Sequence, residues 1–555
     1  MAEKGAMALR GALSKLYKLL VLDRREISAI YVFAAFGGLV ALSLPLGIQT
    51  IISFVMAGSV STSIIVLIIL VVAGVFVNGL LQVRQMQLTE KIQQKIFVRY
   101  SFGFADRIPK INIQKMDNYF LPELVNRFFD TMSLQKGIAK LLLDIPAAMI
   151  QMIFGLILLS FYHPVFIVFG ILLFIILAII LQVTFAKGLE TSLTESDYKY
   201  KAAAWFEEMA RTVKTFKYSK GTSLHLTETD KITSAYLNSR TSHFKILLKQ
   251  YWSLISFKLV ITAAMLIVGS LLLVDQQLNI GQFVSAEIVI LLTIASVEKF
   301  IVSLDNIYDV LTALEKLGKV VNSEIEKNGS AVLPPLNKGV SLELINVQFS
   351  YSDGVKVLND FSLSVKAGEH IALLGKSGSG KTTILRMFTG AFTDFEGNIL
   401  IDQVPIINYD LRSLRSQTGI MLSSQDIFHG TVQDNITMGN DNISDEEIFH
   451  LSKVTGLYGY ILSLKEGFDT MLDPAGKRQP KKIVQTILLM RALLGRHRLL
   501  LLEEPDSFID KANIPAIQNF IKTDINATIV FTTSNPEFAK VADRALHINE
   551  GKIVS

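Results

Sequence analysis

The chain contains no cysteine. Disulfides, thiolate catalysis and cysteine-ligated metals are therefore excluded. Charge is scarce as well. Only 19% of the 555 residues are Asp, Glu, Lys or Arg, against about 25% in an ordinary soluble chain. Half the residues are apolar, and mean hydropathy is +0.42. These values exclude a wholly soluble enzyme, a disordered chain and a disulfide scaffold. A strong excess of one sign is also missing, since 54 basic and 49 acidic residues leave +5. No nucleic-acid partner is implied, because the basic loops of a membrane protein reach the same total. The N-terminus lacks the early apolar core and small-residue cleavage site of a secretory signal. Met1–Glu26, with Arg10, Lys15, Lys18, Arg24 and Arg25, reads as a basic, partly amphipathic lead-in to a membrane span.

Long apolar runs are what the chain does have. Six lie before residue 305, at about Ile27–Phe54, Thr62–Val83, Leu141–Tyr162, Pro164–Ala186, Leu254–Val274 and Gly281–Leu304. Each is near the ~20 residues that cross a bilayer. The short loops Ala57–Ser61, His163–Pro164 and Asp275–Asn279 hold no Lys or Arg, whereas 84–140 and 187–252 are rich in both. The positive-inside rule then places the long loops and both termini in the cytoplasm. Both long loops keep apolar residues at helical spacing, as in Ile96, Tyr100 and Phe104, or Phe206, Met209 and Val213. They read as helices continuing beyond the bilayer, with turns at Asn112–Leu124 and Thr212–Gly221 that could meet a cytoplasmic partner or domain. Asp144, Lys258 and Glu287 fall inside the spans. Such residues are functional candidates by default; the alternative is that Asp144 lies near a span end and that Lys258 and Glu287 pair with each other or line a wet cavity.

The text changes after the sixth span. A polar connector, Glu315–Gly339, carries the breakers Asn328-Gly329-Ser330 and Pro334-Pro335. Strand-like runs then alternate with helical ones, at Leu342–Phe349, Ser362–Val365, Ile371–Leu374 and Leu499–Leu502. The fold class is an α-helical membrane domain of six spans followed by an α/β P-loop domain. The expected domains are a lead-in at 1–26, a membrane domain at 27–311, a linker at 312–339 and a nucleotide-binding domain at 340–555.

Gly375-Lys376-Ser377-Gly378-Ser379-Gly380-Lys381-Thr382 satisfies G-x-x-x-x-G-K-[ST] between an apolar strand and a helical run. Its glycines let backbone N–H groups curl around phosphate oxygens, and the helix N-terminus adds positive potential. Lys381 is suited to neutralise the β- and γ-phosphates of ATP, and Thr382 to place its hydroxyl on Mg²⁺. The apolar run Leu499–Leu502 ends in Glu503-Glu504. One carboxylate can hold Mg²⁺, and the other can polarise a water for attack on the γ-phosphate.

Six spans with long cytoplasmic loops, followed by a P-loop domain, resemble an ABC exporter half-transporter over nearly the whole chain. The membrane half is similar to the permeases of type I secretion and bacteriocin export, without their peptidase domain. The resemblance implies a dimer, homomeric or heteromeric, with ATP held between one subunit's P-loop and the other's signature motif. It implies a lipid bilayer around the spans, in the cytoplasmic (inner) membrane with the nucleotide-binding domain inside. A periplasmic adaptor and an outer-membrane channel are further implied partners. Tyr351 sits where the family stacks an aromatic on adenine, and Thr383 extends the nucleotide-binding set. Glu504-Pro505 matches the catalytic pair, with Glu504 as the nominal base, and Ser507–Asp510 matches the D-loop. Asp410–Arg415, Gly430–Ile436 and Arg491–Leu494 match the flanks of the Q-loop and the end of the signature helix.

Four departures from the family pattern matter, and each weakens turnover rather than binding. Ser423 stands at the Q-loop glutamine, with Gln425 two residues late. Gln479-Pro480-Lys481-Lys482-Ile483 replaces L-S-G-G-Q. Pro480 removes an N–H but suits a first helical turn. The two lysines bind phosphate by charge, stay solvated or contact the partner domain. Glu503 replaces the Mg²⁺-ordering aspartate with an arm one methylene longer. Ser534 replaces the switch histidine and cannot carry its charge. Losing one oriented donor commonly costs about 10²–10³ in rate. Two readings follow: an ATP-driven exporter of a peptide or protein, and an ATP-binding, hydrolysis-deficient half of a heteromeric secretion transporter. A soluble P-loop kinase or GTPase is excluded by the six spans.

Overall fold

A computed structural model describes residues 2–58, 62–112, 114, 121–219, 221–351, 354–473 and 478–554. The chain divides into two compact units, Met1–Lys110 with Tyr119–Ser323, and Ile111–Asn118 with Glu324–Ser555.

The first unit is helical. Among the described residues, six stretches are long and apolar enough to cross a membrane: Arg24–Met56, Thr62–Lys110, Glu123–Tyr162, Val165–Arg211, Leu224–Val274 and Ile280–Val321. The 51 residues of Leu224–Val274 form one helix, about 75 Å at ~1.5 Å per residue. That is more than twice the ~30 Å of a hydrocarbon core. Thr62–Arg107 and Val165–Arg211 are unbroken helices of 46 and 47 residues. The long loops are thus largely helix that projects past the bilayer. Ile69, Leu70 and Phe76 are each more than 60% exposed, which suits a surface bathed in lipid rather than water.

Several details differ from the sequence expectation. The first span is two helices, Arg24–Ala41 and Ser43–Met56, broken at Leu42. Pro45 has no N–H to offer the Ala41 carbonyl, so the ladder is interrupted there. The last helix runs to Val321, past the expected end of the membrane domain at 311. Leu314, Leu317 and Val320 keep its buried stripe going through the supposed start of the linker. Lys258 pairs with Glu298 rather than with Glu287. Asp144 pairs with Lys299 at 2.8 Å. Glu287 is half-buried and has no hydrogen bond or ion pair among the described residues. The far-end turn begins at Thr212 and continues as the short helix Val213–Tyr218. Residues 59–61 of the Ala57–Ser61 loop, 113 and 115–120 of the Asn112–Leu124 turn, and Lys220 of the second turn lie outside the described residues.

The second unit is α/β. Its main sheet has the order β12-β11-β3-β10-β9-β6. These strands are β3 (His370–Leu374), β6 (Thr418–Met421), β9 (Leu499–Glu503), β10 (Thr528–Thr532), β11 (Arg544–Asn549) and β12 (Lys552–Ile553). All pairings are parallel except β11–β12. Every residue of β3 and β10 is buried, as expected of parallel strands covered on both faces. A second, antiparallel sheet has the order β2-β1-β4-β5, with β1 (Leu342–Ser350), β2 (Lys356–Val365), β4 (Glu396–Ile401) and β5 (Val404–Pro405). The connector is stitched to this unit. Arg415 makes a forked pair with Glu326 at 2.6 and 2.8 Å, and Asn328 bonds Asp410 and the Leu411 N–H, each at 2.7 Å. Ile111, Asn112 and Gln114 belong to this unit too. Ile111 bridges Ile325, and the Gln114 amide oxygen accepts from the Thr393 and Asp394 N–H groups at 3.1 and 3.3 Å.

Candidate nucleotide site

The main sheet brings three strand ends together. In the register, Thr532 of β10 lies opposite both Leu373 of β3 and Glu503 of β9. The loops after β3, β9 and β10 therefore share one edge, where ligands of open α/β sheets bind.

The first of these loops is Gly375–Thr382. Gly375, Gly378 and Gly380 adopt φ of +143°, +81° and +104°, which side-chain-bearing residues avoid. A Cβ on Gly375 would also come within 2.2 Å of the Ile548 carbonyl oxygen. The helix Lys381–Met387 begins directly after Gly380. Lys381 Nζ donates to the Gly375 and Lys376 carbonyls at 2.7 and 2.8 Å, folding over the loop it follows. Burial pulls its ammonium below the ordinary value, and the Glu504 and Glu503 carboxylates oppose that shift. Lys376, Ser377 and Gly378 are exposed at the tip. The Ser379 hydroxyl is buried with no hydrogen-bond partner among the described residues, so the cradle keeps a spare donor. Thr383 is buried, and its hydroxyl shares a 3.1 Å hydrogen bond with Tyr351. The Tyr351 ring stands edge-on to Phe349, with centroids 5.0 Å apart.

Two carboxylates close the other side. Glu503 Oε1 accepts from the Thr382 hydroxyl, and its Oε2 accepts from the Ser423 N–H at 2.7 Å. The longer arm of glutamate spans both loops at once. The adjoining oxygens of Thr382 and Glu503 form the hard donor set that suits Mg²⁺. Glu504 has φ +45°, an uncommon conformation for a side-chain-bearing residue. Its N–H is held by the Thr532 carbonyl and hydroxyl, both at 3.0 Å. Its carboxylate accepts from Ser507 at 2.9 Å and from Ser534 at 3.2 Å. Asp506, next along, accepts from Thr533 at 2.9 Å, and burial pushes its pKa up.

The departing positions each have a definite place. Ser423 contributes its backbone, not its side chain, to Glu503. Gln425 turns its amide oxygen back onto the Leu422 N–H at 2.9 Å, which closes its own loop. Pro480 is the residue before the helix Lys481–Leu493, not a member of its first turn. Its carbonyl accepts from the Ile483 N–H at 2.8 Å. Gln479 accepts from the Tyr460 hydroxyl, and Ile483 packs on the core. The two lysines turn onto their own chain. Lys481 Nζ lies 5.1 Å from the centroid of the Phe508 ring, and Lys482 pairs with Asp510. Phe508 and Asp510 both belong to the segment after Glu504. Reading the sequence missed these partnerships, and also the clamp on Glu504 by Ser507 and Ser534. Ser507, three residues on, was a local signal for side-chain bonding; Ser534, thirty residues on, was not.

The ABC transporter transmembrane region family matches residues 27–297. The ABC transporter family matches residues 358–507, from β2 to the turn after Glu504. The chain belongs to the ABC transporters. Its fused transmembrane and ATP-binding domains are homologous to those of toxin translocators. The alpha-hemolysin translocation ATP-binding protein HlyB of Escherichia coli is 28% identical over 289 residues, which is 52% of this chain and 41% of HlyB. The ABC transporter ATP-binding protein YknV of Bacillus subtilis (strain 168) is 30% identical over 295 residues, 52% of this chain and 48% of YknV. The chain thus spans less than half the length of these relatives. A solved bacterial Atm1-family ABC exporter with ATP bound superposes with a TM-score of 0.85 at 19% identity, covering 96% of this chain and 94% of that one. This ABC transporter therefore has that exporter's fold.

Proposed function

We propose that this chain is the ATP-binding and permease subunit of an exporter. It moves a peptide or protein outward across the cytoplasmic membrane, with its nucleotide-binding unit inside the cell. One observation carries the reading. A glycine cradle, Lys381, Thr382 and two carboxylates converge on one sheet edge, in a chain that also has six helices long enough to span a bilayer. The names of the toxin translocators support a polypeptide substrate.

The residues divide the work. Backbone N–H groups of Gly375–Lys381, with the spare Ser379 hydroxyl, cradle the phosphates of ATP. Lys381 swings from its carbonyl partners to neutralise the β- and γ-phosphates. Thr382 and Glu503 would hold Mg²⁺, which spreads the phosphate charge when bound. Tyr351 lies under the base. Glu504, oriented by Ser507 and Ser534, polarises the attacking water. Ser534 donates a hydrogen bond without carrying charge, so the transition state is less stabilised and turnover is slow.

A second half-transporter completes the nucleotide sandwich. In a cell with two membranes, a periplasmic adaptor and an outer-membrane channel would continue the path. A second reading is favoured by the lysines. Because Lys481 and Lys482 engage Phe508 and Asp510 of their own chain, the chain serves as the hydrolysis-deficient, structural or regulatory half of a heteromer. The test is ATP binding and steady-state ATPase activity of the purified chain in lipid, beside Glu504→Gln and Lys381→Ala. Turnover abolished by Glu504→Gln supports the self-sufficient exporter. Binding with turnover no higher than that of Glu504→Gln supports the partner-dependent half. Absence of ATP binding rejects both.

A further inference from the structure

The helix Ala2–Leu22 precedes the first apolar run and packs along one side. Ala12 and Leu19 are buried, and Lys15 turns onto Glu315. Ala12 shares its cluster with Leu189, Leu304 and Tyr308. Leu189 lies just past the fourth apolar run and Leu304 ends the sixth, so the helix runs near the level where the spans leave the hydrocarbon. Its other side is open. Leu13, Tyr17 and Val21, four residues apart, form a stripe, and Tyr17 is 70% exposed. Lys18 lies beside that stripe, and Arg24 and Arg25 open the next helix. All three cations are exposed.

Charge is sorted across this junction. Asp23 is buried and holds Lys95 and Arg99 at 3.2 and 3.1 Å. Glu26 holds Lys95 at 2.6 Å and Lys91 at 3.6 Å. Asp23, Glu26 and Glu315 thus face other cations. Lys18, Arg24 and Arg25 have no hydrogen bond or ion pair among the described residues. From Gly11 to Arg25 the only acid is the buried Asp23. The outer face therefore combines exposed apolar side chains with three unmatched cations.

An apolar stripe beside cations fits a boundary with hydrocarbon on one side and anions on the other. Tyr17 can keep its ring at the acyl boundary and its hydroxyl among headgroups, and the long arms of Lys and Arg reach outward to charge. A zwitterionic headgroup would suit the stripe but would oppose the cations with its own ammonium group. Headgroups of net negative charge match both. An acidic protein would have to displace the bilayer that surrounds the spans at this level.

We propose that this face of Ala2–Leu22, together with Arg24 and Arg25, binds the headgroups of anionic phospholipids. The contact goes beyond the exporter reading and does not depend on what the chain moves.

The test uses the full chain in neutral detergent, titrated with phosphatidylglycerol or phosphatidylcholine of identical acyl chains, with bound lipids counted by native mass spectrometry. One cation near an anionic surface is worth about fivefold in affinity. The native chain should therefore take its first phosphatidylglycerol about tenfold or more above phosphatidylcholine, and Arg25→Gln alone should cut that preference. Lys18→Gln with Arg24→Gln and Arg25→Gln should abolish it. A control, Lys214→Gln with Lys217→Gln and Lys245→Gln, removes the same charge from exposed sites elsewhere in the unit and should keep it. Labelled ATP should bind every variant alike, which shows that they fold. Equal affinity of the native chain for both lipids overturns the proposal. So does a preference that survives in the Lys18, Arg24 and Arg25 variant, or one lost equally in the control, which would reduce the effect to net charge. Soluble glycerol 3-phosphate bound as tightly as phosphatidylglycerol overturns it in favour of a free-phosphate site. A polyglutamate peptide that binds the native chain in phosphatidylglycerol nanodiscs, and not the variant lacking the three cations, overturns it in favour of an acidic protein. Lipid preference without ATP binding by the native chain supports the headgroup contact and strikes the exporter reading instead.

Discussion

The two ends of the nucleotide site differ in what they keep. At the P-loop end, every glycine that needs a positive φ is present, Lys381 sits on its carbonyls, and Thr382 meets Glu503. At the signature end, Pro480 and two lysines stand where small residues would let a helix N-terminus approach a phosphate, and both lysines are occupied within the chain. On the proposed function, the first end binds this chain's own nucleotide and the second serves the nucleotide of a second half-transporter. Selection on binding and on turnover therefore act on separate surfaces, and a chain can keep one while rewriting the other.

The largest effect is expected at the intact end. Lys381→Ala removes the cation that folds over the cradle. ATP affinity should fall by up to about 100-fold, since a charge-assisted bond contributes up to about 3 kcal/mol. Fluorescence titration with a labelled ATP checks it. An unchanged affinity would mean that the P-loop end is no more competent than the signature end, and the contrast would collapse. The next effect is at the switch position. Ser534 already donates to Glu504 at 3.2 Å, so a histidine there finds its partner waiting. Ser534→His should raise steady-state ATPase activity about tenfold, below the ~10²–10⁴ of a fully placed acid–base group because the signature stays altered. No rise would place the loss at the signature end or at Ser423 and Glu503, and restoring those positions in turn would sharpen the comparison.

Much of this was legible beforehand, for physical reasons. Spans declare themselves by apolar length, and the P-loop by glycines whose backbone angles few other residues tolerate. Helical extensions such as Thr62–Arg107 showed in the spacing of Ile96, Tyr100 and Phe104. Pro45 signalled the break at Leu42, yet the apolar run around it masked the signal. The linker start was set too early because polarity rises after Leu314, while the buried stripe of Leu314, Leu317 and Val320 continues. Lys258 with Glu298, and Lys482 with Asp510, are 40 and 28 residues apart. Such pairings are chosen by tertiary packing, and local pattern carries no trace of them. Gln425 is the instructive case. Its residue type suits the Q-loop, but a single turn earlier in the loop needs its amide oxygen.

The smallest effect separates position from stability. Lys482 and Asp510 are 43% and 61% exposed, and exposed pairs are typically worth about 0.2–1 kcal/mol. Asp510→Ala should therefore shift the melting temperature of the nucleotide-binding unit by only about 1–3 °C. The interest lies in the second readout. Lys482, freed from Asp510, becomes available to a phosphate brought by another subunit. If the ion pair restrains the lysine, Asp510→Ala should raise ATPase activity a few-fold, and Asp510→Ala with Lys482→Ala should cancel the gain. A gain that survives in the double variant would mean that the aspartate acts through the D-loop itself, and that the lysine is a bystander. No gain in either variant would mean that charge cannot replace the missing glycines. The signature end would then be limited by the approach of its helix backbone, which Pro480 and the two lysine side chains obstruct together.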